Sequence, residues 1–179
     1  MQDTSTRRLA TLAILAAAAI VLCLLVRFPI FPSAPWLEYD AGDIPLIFSA
    51  FLYGPWWGLA VTAVACVIQG LTVSAGSGWI GIVMHLCATG ALVIVAGLIY
   101  RKAPKRSLIA MIVGAAVAIV LMIPLNLIFT PLYGTPVEAV KQMLLPVILP
   151  FNAIKFGVNA VVAWVLYKPL QRFLKNREE

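Results

Sequence analysis

The sequence predicts an all-α integral membrane protein: a single bundle of six transmembrane helices with both termini cytoplasmic. Composition is the first reason. Of 179 residues, 63% are hydrophobic and only 11% are charged, and the mean hydropathy is +1.00, whereas a soluble domain carries about a quarter charged residues. Length is the second, because about 20 apolar residues per crossing plus loops divides this chain into roughly six helices. The third is where the charges fall. Arg7, Arg8, Arg101, Lys102, Lys105, Arg106, Lys168, Arg172, Lys175 and Arg177 all flank the same end of the predicted bundle, leaving Arg27 and Lys141 at the other. The positive-inside rule then makes both termini cytoplasmic.

The whole of 1–179 reads as a single transmembrane domain, with nothing left over for a soluble catalytic one. A net charge of +6 raises nucleic acid as a partner, but topology explains the positives better, since they lie at segment ends rather than among aromatics. Cys23, Cys66 and Cys87 stand alone in apolar runs without a C-x-x-C pair, so neither a metal site nor a disulfide is expected.

The first helix is predicted from Leu9 to Phe28. Arg7-Arg8 before it resembles the start of a signal peptide, but an apolar run of about 19 residues exceeds the usual h-region, so a retained helix is expected. Its small residues at i and i+4, such as Ala13 and Ala17, let another helix approach closely, within this chain or from a partner. Pro29 to Pro45 follows, with prolines, acids and the aromatics Trp36 and Tyr39. It is too proline-rich for a helix and too apolar for a free linker, and reads as a folded cap over the mouth of the bundle. Trp36 and Tyr39 suit interfacial anchoring, and Tyr39 equally suits covering a flat ligand. Asp43, just before Ile44-Pro45, reads as a helix N-cap.

A short second helix, 44–53, ends at Gly54-Pro55 and must be tilted or surrounded by protein. The third, 58–73, carries Gln69; the turn Ser74 to Gly78 leads to the fourth, 79–100, which carries His85. Both side chains read as satisfied interhelical residues, with a ligand contact as the alternative. The basic run Arg101 to Arg106 precedes the fifth helix, 108–129, and the sixth spans 145–167, with Pro146 and Pro150 loosening its start.

The sixth helix holds the candidate site. Asn152, Lys155 and Asn159 are spaced i, i+3, i+7 and share one face. An ammonium at membrane depth costs at least a few kcal/mol, so Lys155 must face a cavity, a partner or a ligand. Asn126, at the outer end of the fifth helix, lies at the depth of Asn152, so the two can face each other. Either asparagine alone reads equally well as interhelical hydrogen bonding; beside Lys155 they point to an outward-open pocket of two carboxamides and one ammonium. The expectation is a lone cation. A carboxylate of the same chain against Lys155, or an amine turned toward the lipid headgroups, would mean abandoning that pocket. Asn159 lies deeper and reads as bonding only a neighbouring backbone, with no ligand role assigned.

The residues Phe31-Pro-Ser-Ala-Pro-Trp-Leu-Glu-Tyr-Asp-Ala-Gly-Asp-Ile-Pro45, then Gly54-Pro55-x-x-Gly58, then Pro150-Phe-Asn-Ala-Ile-Lys155 resemble the riboflavin-specific S components (RibU type) of energy-coupling-factor (ECF) vitamin transporters. The resemblance spans nearly the whole chain. It implies a six-helix substrate-binding membrane subunit, not an enzyme, that captures riboflavin outside the cell membrane for ATP-driven uptake. It implies flavin contacts at Asn126, Asn152 and Lys155 and at the cap residues Leu37, Glu38 and Tyr39. It further implies docking through Ala13 and Ala17 onto a transmembrane T component that works with two cytoplasmic ATPases. Riboflavin is then a bound substrate, with no cofactor, and FMN binding stays open. Several relatives carry Lys-Asn in the third helix where this chain has Ala65-Cys66, so no flavin contact is carried over from that helix. An S component for thiamin, folate, pantothenate or biotin is the alternative, with a self-sufficient carrier beside it. An intramembrane enzyme lacks its motifs, since no Walker lysine loop, H-E-x-x-H or paired intramembrane carboxylates occur.

Overall fold

In the computed structural model the described residues are 3–175, with side chains from 5 to 171. Helix α1, Asp3–Leu25, leads into a two-stranded antiparallel hairpin, β1 at Arg27–Pro29 and β2 at Glu38–Asp40. Helices α2 at Asp43–Tyr53, α3 at Pro55–Leu71, α4 at Gly78–Lys102 and α5 at Ser107–Phe129 follow. A short α6, Val137–Met143, runs through a π turn at Leu144–Ile148 into α7, Leu149–Lys175. The architecture is that of an all-helical membrane protein with one small hairpin. Among the described residues, four stretches are long and apolar enough to cross a bilayer: Ser5–Leu25, Ala75–Lys102, Pro104–Tyr133 and Val137–Gln171.

The differences from the expected boundaries have local causes. The first helix stops at Leu25 rather than Phe28 because Arg27 to Pro29 pair with β2. Helix α3 starts at Pro55 rather than Gly58, the ring standing in the first turn, where the missing N–H costs nothing. The segment before residue 145 is mostly helical, with a 3-10 turn at Thr130–Tyr133 and then α6. Pro146 lies within the π turn and Pro150 just after it, where neither ring can donate to the helix ladder.

Eleven residues of α2 span about 16 Å at 1.5 Å per residue, too short for the hydrocarbon layer. The helix is instead enclosed: Asp43 to Phe51 are all buried, and α1, α3, α4 and α7 pack around it. Gly54, at φ 96°, makes the reversal into α3 that other residues resist. At this end Phe51 stacks on Tyr100 with centroids 4.0 Å apart and meets the edge of Tyr167, whose hydroxyl donates to that of Tyr100 at 2.9 Å. Outward faces carry Val64, Ile112, Val120 and Leu145, an apolar girdle that suits lipid tails and not water.

At the opposite end of the bundle three loops meet. Arg27 donates to the carbonyl of Val73 in the turn just past α3 and pairs with Glu38 across the hairpin. The Tyr133 hydroxyl donates to the carbonyl of Ser77 at 2.6 Å, tying the loop after α5 to the turn between α3 and α4. The hairpin is thereby held as a cap over that end.

Candidate functional site

Beneath the cap lies a buried polar network. Lys155 Nζ of α7 donates to Asp40 Oδ2 of β2 at 2.6 Å, with side-chain exposures of 12% and 10%. Asn159, one turn along α7, donates through Nδ2 to the Asp40 carbonyl and to Asp43 Oδ2, each at 2.9 Å. Its Oδ1 accepts from the Tyr39 hydroxyl at 2.8 Å. Burial first, and the Asp40 carboxylate next, push the Tyr39 phenol above its ordinary value, so it stays protonated and donates. Asp43 Oδ1 accepts from the Thr89 hydroxyl at 2.8 Å and lies 3.3 Å from His85 Nε2. One cluster thus joins the hairpin, the start of α2, the middle of α4 and α7.

Above the network is a cavity of about 130 Å³. Trp36 and Glu38 wall it from the cap side, Gln69 from α3, His85 from α4 and Lys155 from α7, with Ser74 and Ser77 at the intervening turn. The walls are chiefly polar: a carboxamide, hydroxyls, an imidazole and two ion pairs. Such a chamber offers donors and acceptors from several directions to one small polar guest. Among the described residues no cluster of three or more His, Cys, Asp or Glu side chains is placed to hold a metal ion.

Residues 7–167 match the family model described as the ECF transporter, substrate-specific component. The chain belongs to this family. It is a transporter component and not an enzyme. Among similar proteins, the riboflavin transporter RibU of Staphylococcus aureus is 33% identical, with 95% of this chain and 93% of that protein aligned. The riboflavin transporter FmnP of Bacillus subtilis is 29% identical over 96% and 95%. A solved structure of the S component of a bacterial ECF transporter superposes with a TM-score of 0.81 at 32% identity, covering 96% of this chain and 99% of that one.

In this S component the expected residues divide. Lys155 and Glu38 line the cavity. Leu37 is half-buried in the cap, and Tyr39 is buried within the network, not stacked over the cavity. Asn126 and Asn152 are buried, yet neither lines the cavity nor bonds the other. Each Nδ2 donates to the carbonyl four residues back, Met122 and Ile148 respectively, at 2.8 Å, and Asn126 Oδ1 accepts from Thr130 at 3.0 Å. Ala13 and Ala17 are exposed on the outer face of α1.

Three expectations are corrected. Lys155 is not a lone cation, because β2 dips far enough into the bundle to set Asp40 against it; the pocket inferred from an unpaired ammonium is therefore abandoned, and what remains is the cavity that the structure shows. Asp43 does not cap α2, whose N-cap position is Gly42 with no side-chain bond; its carboxylate is taken by Thr89, Asn159 and His85. Gln69 is only half satisfied, with Nε2 3.4 Å from the Ala19 carbonyl and Oε1 without a partner among the described residues. Asp40 was the missed member; Asn159, on the polar face of Lys155, does bond a neighbouring backbone carbonyl, that of Asp40, and beyond that expectation also meets Asp43 and Tyr39.

Proposed function

We propose that this S component captures riboflavin from the extracellular side and delivers it for ATP-driven uptake. The observation that carries the reading is the polar cavity between cap and bundle, with Lys155 at its floor, in a chain similar to proteins named riboflavin transporters. The whole chain, 1–179, acts as a single substrate-binding domain in the cell membrane, crossing it six times with both termini cytoplasmic. The skew of basic residues toward one end of the bundle supports this topology, and the cap and cavity then face outward.

The flavin's heterocyclic edge alternates carbonyl and N–H groups. Carboxamides that donate and accept suit it, and so does an ammonium against a carbonyl. We assign that edge to Asn126, Asn152 and Lys155, with Leu37, Glu38 and Tyr39 closing the cap side. Asn152 lies one turn from Lys155 on the same face of α7, and both amides exchange an i−4 carbonyl for the ligand. A cavity of about 130 Å³ is smaller than the roughly 300 Å³ or more of an occupied small-molecule pocket, so as it stands it holds only part of a flavin. The exposed Ala13 and Ala17 on α1 give a smooth face for docking on the transmembrane T component, which two cytoplasmic ATPases drive.

Mass spectrometry of the small molecule released when the purified protein is denatured tests the substrate. Riboflavin is the expected species. Thiamin, folate, pantothenate or biotin in its place would move the protein to another vitamin, and the same spectrum reports whether FMN is carried.

A further inference from the structure

We propose that the basic end of the bundle holds a second binding site, which takes the phosphate group of an anionic lipid headgroup against Arg101. A cavity of about 440 Å³ opens there between the end of α2 and the end of α4, within the roughly 300–1,000 Å³ of small-molecule sites. Phe51, Leu52, Tyr53, Gly54, Tyr100 and Arg101 line it. It lies at the far end of the bundle from the cap, so the inference stands or falls apart from the riboflavin reading and takes from the proposed topology only which leaflet it faces.

None of the lining residues is acidic, and Arg101 is exposed, with no hydrogen bond or ion pair to a described residue. A planar guanidinium matches two phosphate oxygens at once. Tyr53, half-buried on the same wall, brings a phenol, a further donor for an anion. The wall behind is firm: Phe51 stacks on Tyr100, whose hydroxyl accepts from Tyr167 at 2.9 Å and from Gln171 Nε2 at 3.2 Å. Phe51 and Leu52 offer apolar surface to the glycerol and the first carbons of acyl chains. Depth and field decide whose phosphate it is. Trp56 and Trp57, exposed just past Gly54, set this end of α3 at the level where indole rings settle, between headgroups and hydrocarbon. Arg7, Arg8 and the run Arg101 to Arg106 add positive charge at the same end, and basic pockets between transmembrane helices on the cytoplasmic side seat anionic headgroups. A free phosphate would meet the same guanidinium but gain nothing from the apolar wall.

The test is native mass spectrometry of the full chain, delipidated in detergent and titrated with dioleoyl phosphatidylglycerol or with dioleoyl phosphatidylcholine. The wild-type protein is expected to take one phosphatidylglycerol per chain at least tenfold more tightly than phosphatidylcholine, the worth of a hydrogen bond between charged groups. Arg101→Gln should abolish that preference and Arg101→Lys should keep part of it, since an ammonium retains the charge but not the fork. Lys102→Gln, which removes an equal charge one residue outside the cavity lining, should leave it intact. Equal affinity for the two lipids in the wild-type protein would overturn the inference without any variant. A preference that survives Arg101→Gln, or that Lys102→Gln reduces as much, would overturn it in favour of diffuse attraction to the basic end. Displacement of the lipid by millimolar inorganic phosphate would make this a site for a free anion and overturn the assignment to lipid.

Discussion

Lys155→Met is expected to cost about 3–5 kcal/mol of stability, because it strips the counter-charge from a carboxylate that is only 10% exposed. Riboflavin affinity should fall about tenfold to a hundredfold in the same protein, the range for a hydrogen bond from a charged donor. One variant cannot separate the two effects, since a protein that unfolds also fails to bind. Pairing it with Asp40→Asn separates them. In the double variant no unpaired charge is left at that contact, and the new carboxamide still presents an oxygen for the Gly42 N–H that Asp40 Oδ1 accepts at 3.0 Å. Most of the lost melting temperature should return while riboflavin binding stays weak. Recovery of both would make Lys155 a structural counter-ion alone. Wild-type affinity in a folded Lys155→Met protein would remove it from the site.

Gly58→Val should be the most damaging single change away from the site. A Cβ at Gly58 would lie 2.6 Å from Ala50 Cβ, 2.9 Å from Ala50 Cα and 2.6 Å from Val93 Cγ1. The two Ala50 atoms belong to α2, which is packed between α1, α3, α4 and α7 and has nowhere to retreat. Overpacking of this kind costs about 1–3 kcal/mol, and more where backbone must move. Because α2 begins at Asp43, displacing it should also disturb the network under the cavity, so binding and melting temperature should fall together. Gly157→Ala is the matched control: a Cβ there meets nothing within 4 Å, and replacing a mid-helix glycine is neutral or mildly stabilising. A Gly58→Val protein as stable as this control would mean that α2 is not held as described.

What the sequence made legible was whatever hydrophobic segmentation encodes. Long apolar runs broken by Gly54-Pro55, by the Ser74 to Gly78 turn and by Arg101 to Arg106 mark helices without any tertiary knowledge. The polar face of α7 was visible for the same reason, since Asn152, Lys155 and Asn159 repeat at helical spacing. The partner of Lys155 was not visible. Asp40 lies 115 residues away in a segment whose prolines announce a loop but not how deep that loop inserts. Depth decided the chemistry, because an acid on an extracellular surface and an acid against a buried lysine look alike in sequence. Asp43 was misread by the same route: Asp before Ile-Pro is a common capping pattern, and only the packing of α4 and α7 shows Thr89 and Asn159 claiming the carboxylate. The i−4 bonds of Asn126 and Asn152 were equally hidden, because a helix-borne amide chooses between its own backbone and a neighbour by tertiary fit.

The central claim is that the chain binds one flavin in the chamber under its cap, and an equilibrium titration of riboflavin into the purified protein tests it most directly. Quenching of flavin fluorescence that saturates at one riboflavin per chain, undisturbed by excess thiamin or pantothenate, is the predicted result. Fluorescence that stays unquenched with folded protein in excess, or that thiamin or pantothenate restores in full, would contradict it.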